Sequence, residues 1–397
     1  MVVNTLRLAV IVTLCTGSIH VASFAGDCGC CSPAVTTAPC DSCGIGVSTC
    51  DSCSVSCGAG CSSACGHGCS ACGCNSCGST PIANLLKSGN CGGCSSTCDS
   101  CCLQCCEQWQ VVAGAWFANR TDPDPLTLAT HQNTGQELLN AQDLDYGTQV
   151  ATRIFLVRDH SNCQGLEVGY FGFDSMNGST PAGGEISPSA AGPGLTFPST
   201  APHTIFAFDY GTSLHNAELN WRRRCNECVT WIAGFRWIEL GDYIGLRQTS
   251  PVSNSIYQVD TDNHMYGFQL GANAELINCQ GRFHIDGRFR AGVFYNNADQ
   301  QTNAPILAGL SPTPFVTGVQ AADNNTAFAG EIGLQAVYEI NCRLSVTGGY
   351  QLLWLDGVAL APDQIPVTSM LAPGSAALDT GGTVLFHGAT VGLVATF

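Results

Sequence analysis

The sequence predicts an all-β fold, a transmembrane antiparallel up-and-down β-barrel of about ten strands (8–12), preceded by an irregular cysteine-rich segment. Three observations predict it. After Trp109, apolar and polar residues alternate with a period of two over long stretches. The connections between those stretches are short and long in strict turn. Ahead of them, cysteine is concentrated as nowhere else in the chain.

Composition narrows the function classes first. Of 397 residues only 11% are charged, 14 basic against 30 acidic, for a formal net charge of −16. Soluble domains carry about 25% charged residues, so a cytosolic enzyme fits poorly. So acidic a chain is no partner for nucleic acid, whose phosphates need neutralising. Glycine (46) and proline (17) speak against a helical protein. No stretch approaches the roughly 20 apolar residues of a membrane-spanning helix.

Residues 1–25 read as a secretory signal peptide. Arg7 precedes the apolar run Leu8 to Leu14, and Ser23 and Ala25 put small residues at the −3 and −1 positions. Cleavage is expected after Ala25, and the alternative is a short buried helix. Asp27 before Cys28, and Leu14 before Cys15, count against a lipoprotein signal.

Residues 26–107 form the cysteine-rich, low-complexity segment, with 21 cysteines between Cys28 and Cys106. Cys-Asp-Ser-Cys recurs at Cys40, Cys50 and Cys98, and from Cys53 to Cys69 every fourth residue is cysteine. Serine, glycine and alanine fill most of the rest, too little apolar matter for a core. Order there must come from disulfides or bound metal. Export favours disulfides. Cys74/Cys77 and Cys91/Cys94 have the spacing of zinc ligands, but His67 is the only histidine in the tract.

Residues 108–397 carry the barrel pattern. From Arg282 to Tyr295 one face is Phe283, Ile285, Gly287, Phe289, Ala291, Val293 and Tyr295, and the other is Arg282, His284, Asp286, Arg288 and Arg290. Ten strands are expected, at 109–118, 148–158, 165–174, 204–222, 229–239, 264–278, 282–296, 326–340, 343–354 and 383–397. A soluble sandwich would not need such length or such regular alternation of loop lengths. Short turns on one rim and long loops on the other describe a bacterial outer-membrane protein. Its even strand count places both termini, and the cysteine tract, on the periplasmic side. Tryptophans towards strand ends form two girdles, with Trp109, Trp221 and Trp231 near short turns and Trp116, Trp237 and Trp354 near long loops. The terminal Phe397, closing an alternating strand, resembles the signal read by the outer-membrane assembly machinery.

Two residue sets are candidates for function. Cys163, Cys225, Cys228, Cys279 and Cys342 all fall at the short turns, where some would bridge to the tract. The alternative is that Cys225 and Cys228 pair locally. In the lumen, Arg153, Arg222, Arg236, Arg282, Arg288 and Arg290 would face Glu167, Glu218, Glu275, Asp286, Glu331 and Glu339. Mixed charges in a confined space pair, and ten such strands leave little free lumen, whereas open pores typically have about 16–18.

Several segments resemble, in order, the Putative beta-barrel porin-7 family. They are His215-Asn-Ala-Glu-Leu-Asn-Trp221 with Trp231 to Leu240, Phe328 to Leu334, Gly349-Tyr-Gln-Leu-Leu-Trp-Leu-Asp-Gly-Val-Ala-Leu-Ala-Pro-Asp-Gln364, and Phe386 to Leu393. The resemblance spans about 109–397 and implies a bacterial outer-membrane barrel with no catalytic residues.

Two functions fit. The main expectation is an envelope anchor or structural protein, its tract cross-linked by disulfides on the periplasmic side. The alternative is a narrow porin-like channel for small solutes. Outer-membrane lipid is the expected partner, with envelope proteins joined through disulfides or self-association. No cofactor or metal is expected, and no enzyme. Gly-x-Ser-x-Gly, His-Glu-x-x-His and phosphate-loop motifs are lacking, and His203, Asp209, His215, His264 and His387 are scattered.

Overall fold

The computed structural model describes residues 108–397 apart from 132–135, 161–162, 184–185, 189–204, 226–228, 250–253, 279–281, 305–315 and 372. The leader, the cysteine tract, Cys228, Cys279 and His203 lie outside the described residues. In chain order the elements are β1 (Gln108–Arg120), β2 (Thr127–His131), β3 (Glu137–Asn140), β4 (Gln149–Asp159), β5 (Gln164–Gly183), β6 (Ile186–Pro188), β7 (Ile205–Arg224) and β8 (Val229–Thr249). There follow β9 (Asn254–Asn278), β10 (Phe283–Asn303), β11 (Gly318–Asn341), β12 (Leu344–Val358), α1 (Ala361–Gln364), β13 (Thr368–Ser369), β14 (Ser375–Ala376) and β15 (Gly382–Thr396).

Ten strands close an antiparallel barrel in the order β1-β15-β12-β11-β10-β9-β8-β7-β5-β4, and β4 pairs back with β1. Closure leaves no edge with unsatisfied amides, the condition for crossing lipid with strands. At the seam Trp109 and Phe397 exchange backbone hydrogen bonds of 3.1 and 2.9 Å, so the first and last strands end on the same rim. Gly388 lies there against β1, where an added Cβ would run into the Phe117 carbonyl oxygen.

The outward face is apolar. Phe268 is 77% exposed and Leu270 69%, and Val168, Leu219, Val293, Leu334 and Leu393 are exposed with them. A continuous apolar belt of this size belongs in lipid, and the closed barrel supports an outer-membrane location. Trp237, Tyr266 and Tyr295 stand in register across β8, β9 and β10 at the edge of the belt. Trp116 does not join that girdle. It is fully buried inside the barrel, edge-on to Phe171 at 5.6 Å, because the inward positions of β1 are the even ones.

The strand ends at the short turns lie within two residues of expectation. At the long-loop ends the strands run on: β8 reaches Thr249, β9 starts at Asn254, β10 ends at Asn303 and β11 starts at Gly318. The extensions are rich in Asn, Asp, Gln and Thr, and both faces leave the lipid belt there, so polarity carries no turn signal.

Candidate functional site

The interior has two zones. Towards the long loops, Trp116, Phe171, Phe173, Leu214, Ile238, Phe294, Leu353 and Phe386 fill the barrel as an apolar cluster. A segment after β12 folds into this mouth, with α1 packed against β8 and β9. Inward-pointing amides hold it. Asn263 donates to the Ala359 carbonyl at 2.8 Å and accepts from its N–H at 2.7 Å. Asn325 donates to the carbonyl of Gly357, whose φ of +79° favours glycine. Asp242 accepts from the Ala361 N–H at 3.0 Å and from Arg120, which lies 4.4 Å over the Tyr146 ring. Burial pushes the Tyr146 phenol above its ordinary value, keeping it neutral there. Gln364, wholly buried, bonds the Asp379 backbone in both directions at 2.8 Å.

Towards the short turns lies a layer of charge. Arg290 of β10 pairs with Glu167 of β5 at 2.6 Å and with Glu218 of β7. Arg236 of β8 pairs with Glu331 of β11 at 3.0 Å and donates to Asn216 at 2.5 Å. Gln269 ties the two pairs together, donating to Glu218 at 2.6 Å and accepting from Arg236 at 3.2 Å. Arg222 lies 3.6 Å from Glu167, and Arg288 lies 3.8 Å from Glu331. These charges are fixed because alternate residues of every strand point inward and the ladders lock their height.

The twelve expected lumen charges divide into groups. Glu167, Glu218, Arg236, Arg290 and Glu331 are buried in one network with Arg222 and Arg288 at its edge. Arg153 is buried beside it with no ion pair among the described residues. Glu275 and Asp286 stand in register nearer the short-turn rim. There Asp286 lies 3.6 Å from His284, while Arg282 and Glu339 are exposed. The layer thus holds five arginines against three glutamates.

Below the layer a cavity of about 460 Å³ reaches towards the short-turn rim, lined by Arg153, Phe155, Arg222, Asp286, Arg288, Gln351 and Thr390 among others. Sequence reasoning missed both this cavity and the segment closing the other mouth. The segment's signal was present in Val358-Ala-Leu-Ala-Pro-Asp-Gln364, an apolar run within a long loop.

Two of the scattered histidines stack on tyrosines. His215 stacks on Tyr170 with a 2.9 Å hydrogen bond, and His387 on Tyr350 with one of 2.7 Å. Among the described residues no group of three or more His, Cys, Asp or Glu is placed to hold a metal.

The expectation of an anchor cross-linked by disulfides, with envelope partners held through them, is overturned. Cys163, Cys225 and Cys342 sit at the short-turn rim, and Cys163 and Cys342 are in the disulfide state. No disulfide joins two described residues, however, and the barrel closes on hydrogen-bonded ladders alone. What the interior offers instead is a cavity ending on a charged constriction.

The similar solved structures are of low identity. The outer membrane protease OmpT of Escherichia coli matches at 8% identity with a TM-score of 0.44, covering 73% of this chain and 97% of that one. The toluene transporter TodX of P. putida matches at 10% and 0.28, covering 73% and 89%. The toluene transporter TbuX of Ralstonia pickettii matches at 9% and 0.28, covering 73% and 88%. No curated protein matches the sequence. Residues 195–380 match the sequence model of the Putative beta barrel porin-7 family, a narrower span than the expected 109–397 that leaves Phe386 to Leu393 outside it.

Proposed function

We propose that the chain is a narrow porin-like channel for small solutes, closed at its long-loop mouth by the segment around α1. The observation that carries this reading is the 460 Å³ cavity, which enters from the short-turn rim and stops at the arginine–glutamate layer. A purely structural barrel has no need of a polar vestibule, since a packed apolar interior would be more stable than buried charge. The porin family matched over 195–380 supports the same reading. Of the twelve lumen charges, Arg153, Glu167, Arg222, Asp286, Arg288 and Glu339 act as its lining, and the buried Glu218, Arg236, Arg290 and Glu331 as its constriction.

The remaining organisation follows from this reading. Residues 1–25 serve as signal peptide. Residues 26–107 form an irregular segment on the periplasmic side, since β1 starts at the short-turn rim beside Phe397. Phe397 serves as the assembly signal. Swelling of proteoliposomes carrying the full mature chain tests the function. Glycine-sized solutes should enter measurably and disaccharides should not. Equal exclusion of both, from barrel verified as folded, would overturn it.

A further inference from the structure

We propose that the inner wall of the cavity binds a small oxyanion, a carboxylate or phosphate, between Arg153 and Arg288. The inference deepens the channel reading by naming the class of solute, and it rests on that reading for the route of entry.

Arg153 carries the inference. It is only 8% exposed, lines the cavity, and makes no ion pair or hydrogen bond among the described residues, its Nε being buried without a partner. Its guanidinium carbon lies 5.5 Å from the centre of the Phe155 ring. A desolvated, unpaired guanidinium is costly, and buried charges are ordinarily paired. Arg288 makes the position worse rather than better, because its guanidinium lies over the same ring at 5.3 Å. The nearest carboxylate to Arg288, on Glu331 at 3.8 Å, is already held by Arg236 at 3.0 Å. Two like charges therefore lie against one aromatic ring at the end of a cavity, in a layer with more arginine than glutamate.

A neutral donor completes the site. Gln351 is 3% exposed, lines the same cavity, and its Nε2 is also buried without a partner. Gly333 stands in register between Arg288 and Gln351, so no side chain fills the gap between them. Guanidinium forks match the paired oxygens of carboxylate and phosphate. An oxyanion here would accept from both arginines and the amide, and would relieve the repulsion between the arginines. A cation would meet the reverse.

Calorimetric titration of the purified full mature chain with inorganic phosphate, in low-chloride buffer, tests this. Saturable binding is expected, weakened roughly tenfold or more by Arg153→Gln or Arg288→Gln, as for loss of a charged hydrogen bond. Arg247→Gln, on the outer face, should bind as the native chain does. Phosphate should also raise the unfolding temperature of the native protein and not that of Arg153→Gln. Should Arg153→Gln fail to fold, Gln351→Leu carries the test and should likewise weaken binding. No saturable binding to the native chain, or equal affinity in Arg153→Gln and Arg247→Gln, would overturn the site. Solute entry without phosphate binding refutes the anion site alone. Binding without solute entry refutes the channel alone.

Discussion

Arg120 of β1 and Asp242 of β8 meet across the interior of the barrel, although the two strands are not neighbours and 122 positions separate the residues. The pair closes the long-loop mouth from wall to wall, and Asp242 also accepts from the Ala361 N–H of the inserted segment at 3.0 Å. Both side chains are almost wholly buried. Asp242→Asn should therefore release the segment. Channel openings are expected to become more frequent, and the barrel should lose about 3–5 kcal/mol because Arg120 stays buried without its carboxylate. Denaturant unfolding in detergent measures the loss.

Asp363 of α1 makes the closure depend on pH. Burial raises its carboxyl to about 7, helped by Asp124, Asp379 and Asp242 and opposed by Arg120. A carboxyl raised in the folded state favours the docked, protonated form. Its contribution is full below the ordinary carboxylate range and is lost as pH rises through about 7. Opening frequency should rise between pH 6 and 8, and Asp363→Asn should flatten that rise.

The charge layer is a separate test of stability. Arg290 answers both Glu167 and Glu218. Arg290→Gln leaves two buried carboxylates short of a cation and should cost about 3–5 kcal/mol. Arg153→Gln removes an unpaired cation and should be neutral or stabilising. Paired thermal scans should show Arg290→Gln unfolding well below the native protein and Arg153→Gln no lower than it.

Leu270, 69% exposed near the middle of the apolar belt, reports on the lipid itself. Leu270→Arg should cost about 2–4 kcal/mol in a bilayer. Folding equilibria in lipid vesicles measure it. An unchanged equilibrium would mean that this face does not meet hydrocarbon.

Much of the barrel was legible because lipid imposes a period of two. Phe283 to Tyr295 alternates cleanly, and Asn162-Cys163, Asn278-Cys279 and Asn341-Cys342 mark the short turns. Beyond the belt the rule lapses. Asn254 to Asp262 reads as loop, yet continues β9 into water. The closed mouth was illegible for the opposite reason: Leu352 to Leu355 is apolar on both faces, so nothing tells lipid from core. The inward turn of Trp116 was hidden in the same way. Alternation puts charged residues on the inward faces of the strands, but it does not give their pairing. Which arginine lacks a partner depends on heights set by ten ladders.

The most direct measurement is single-channel recording of the full mature chain in planar bilayers, native beside Asp242→Asn. Rare, small, discrete steps from the native protein and frequent steps of the same size from the variant are predicted. Silence from both, with the barrel verified as folded and inserted, would contradict the channel.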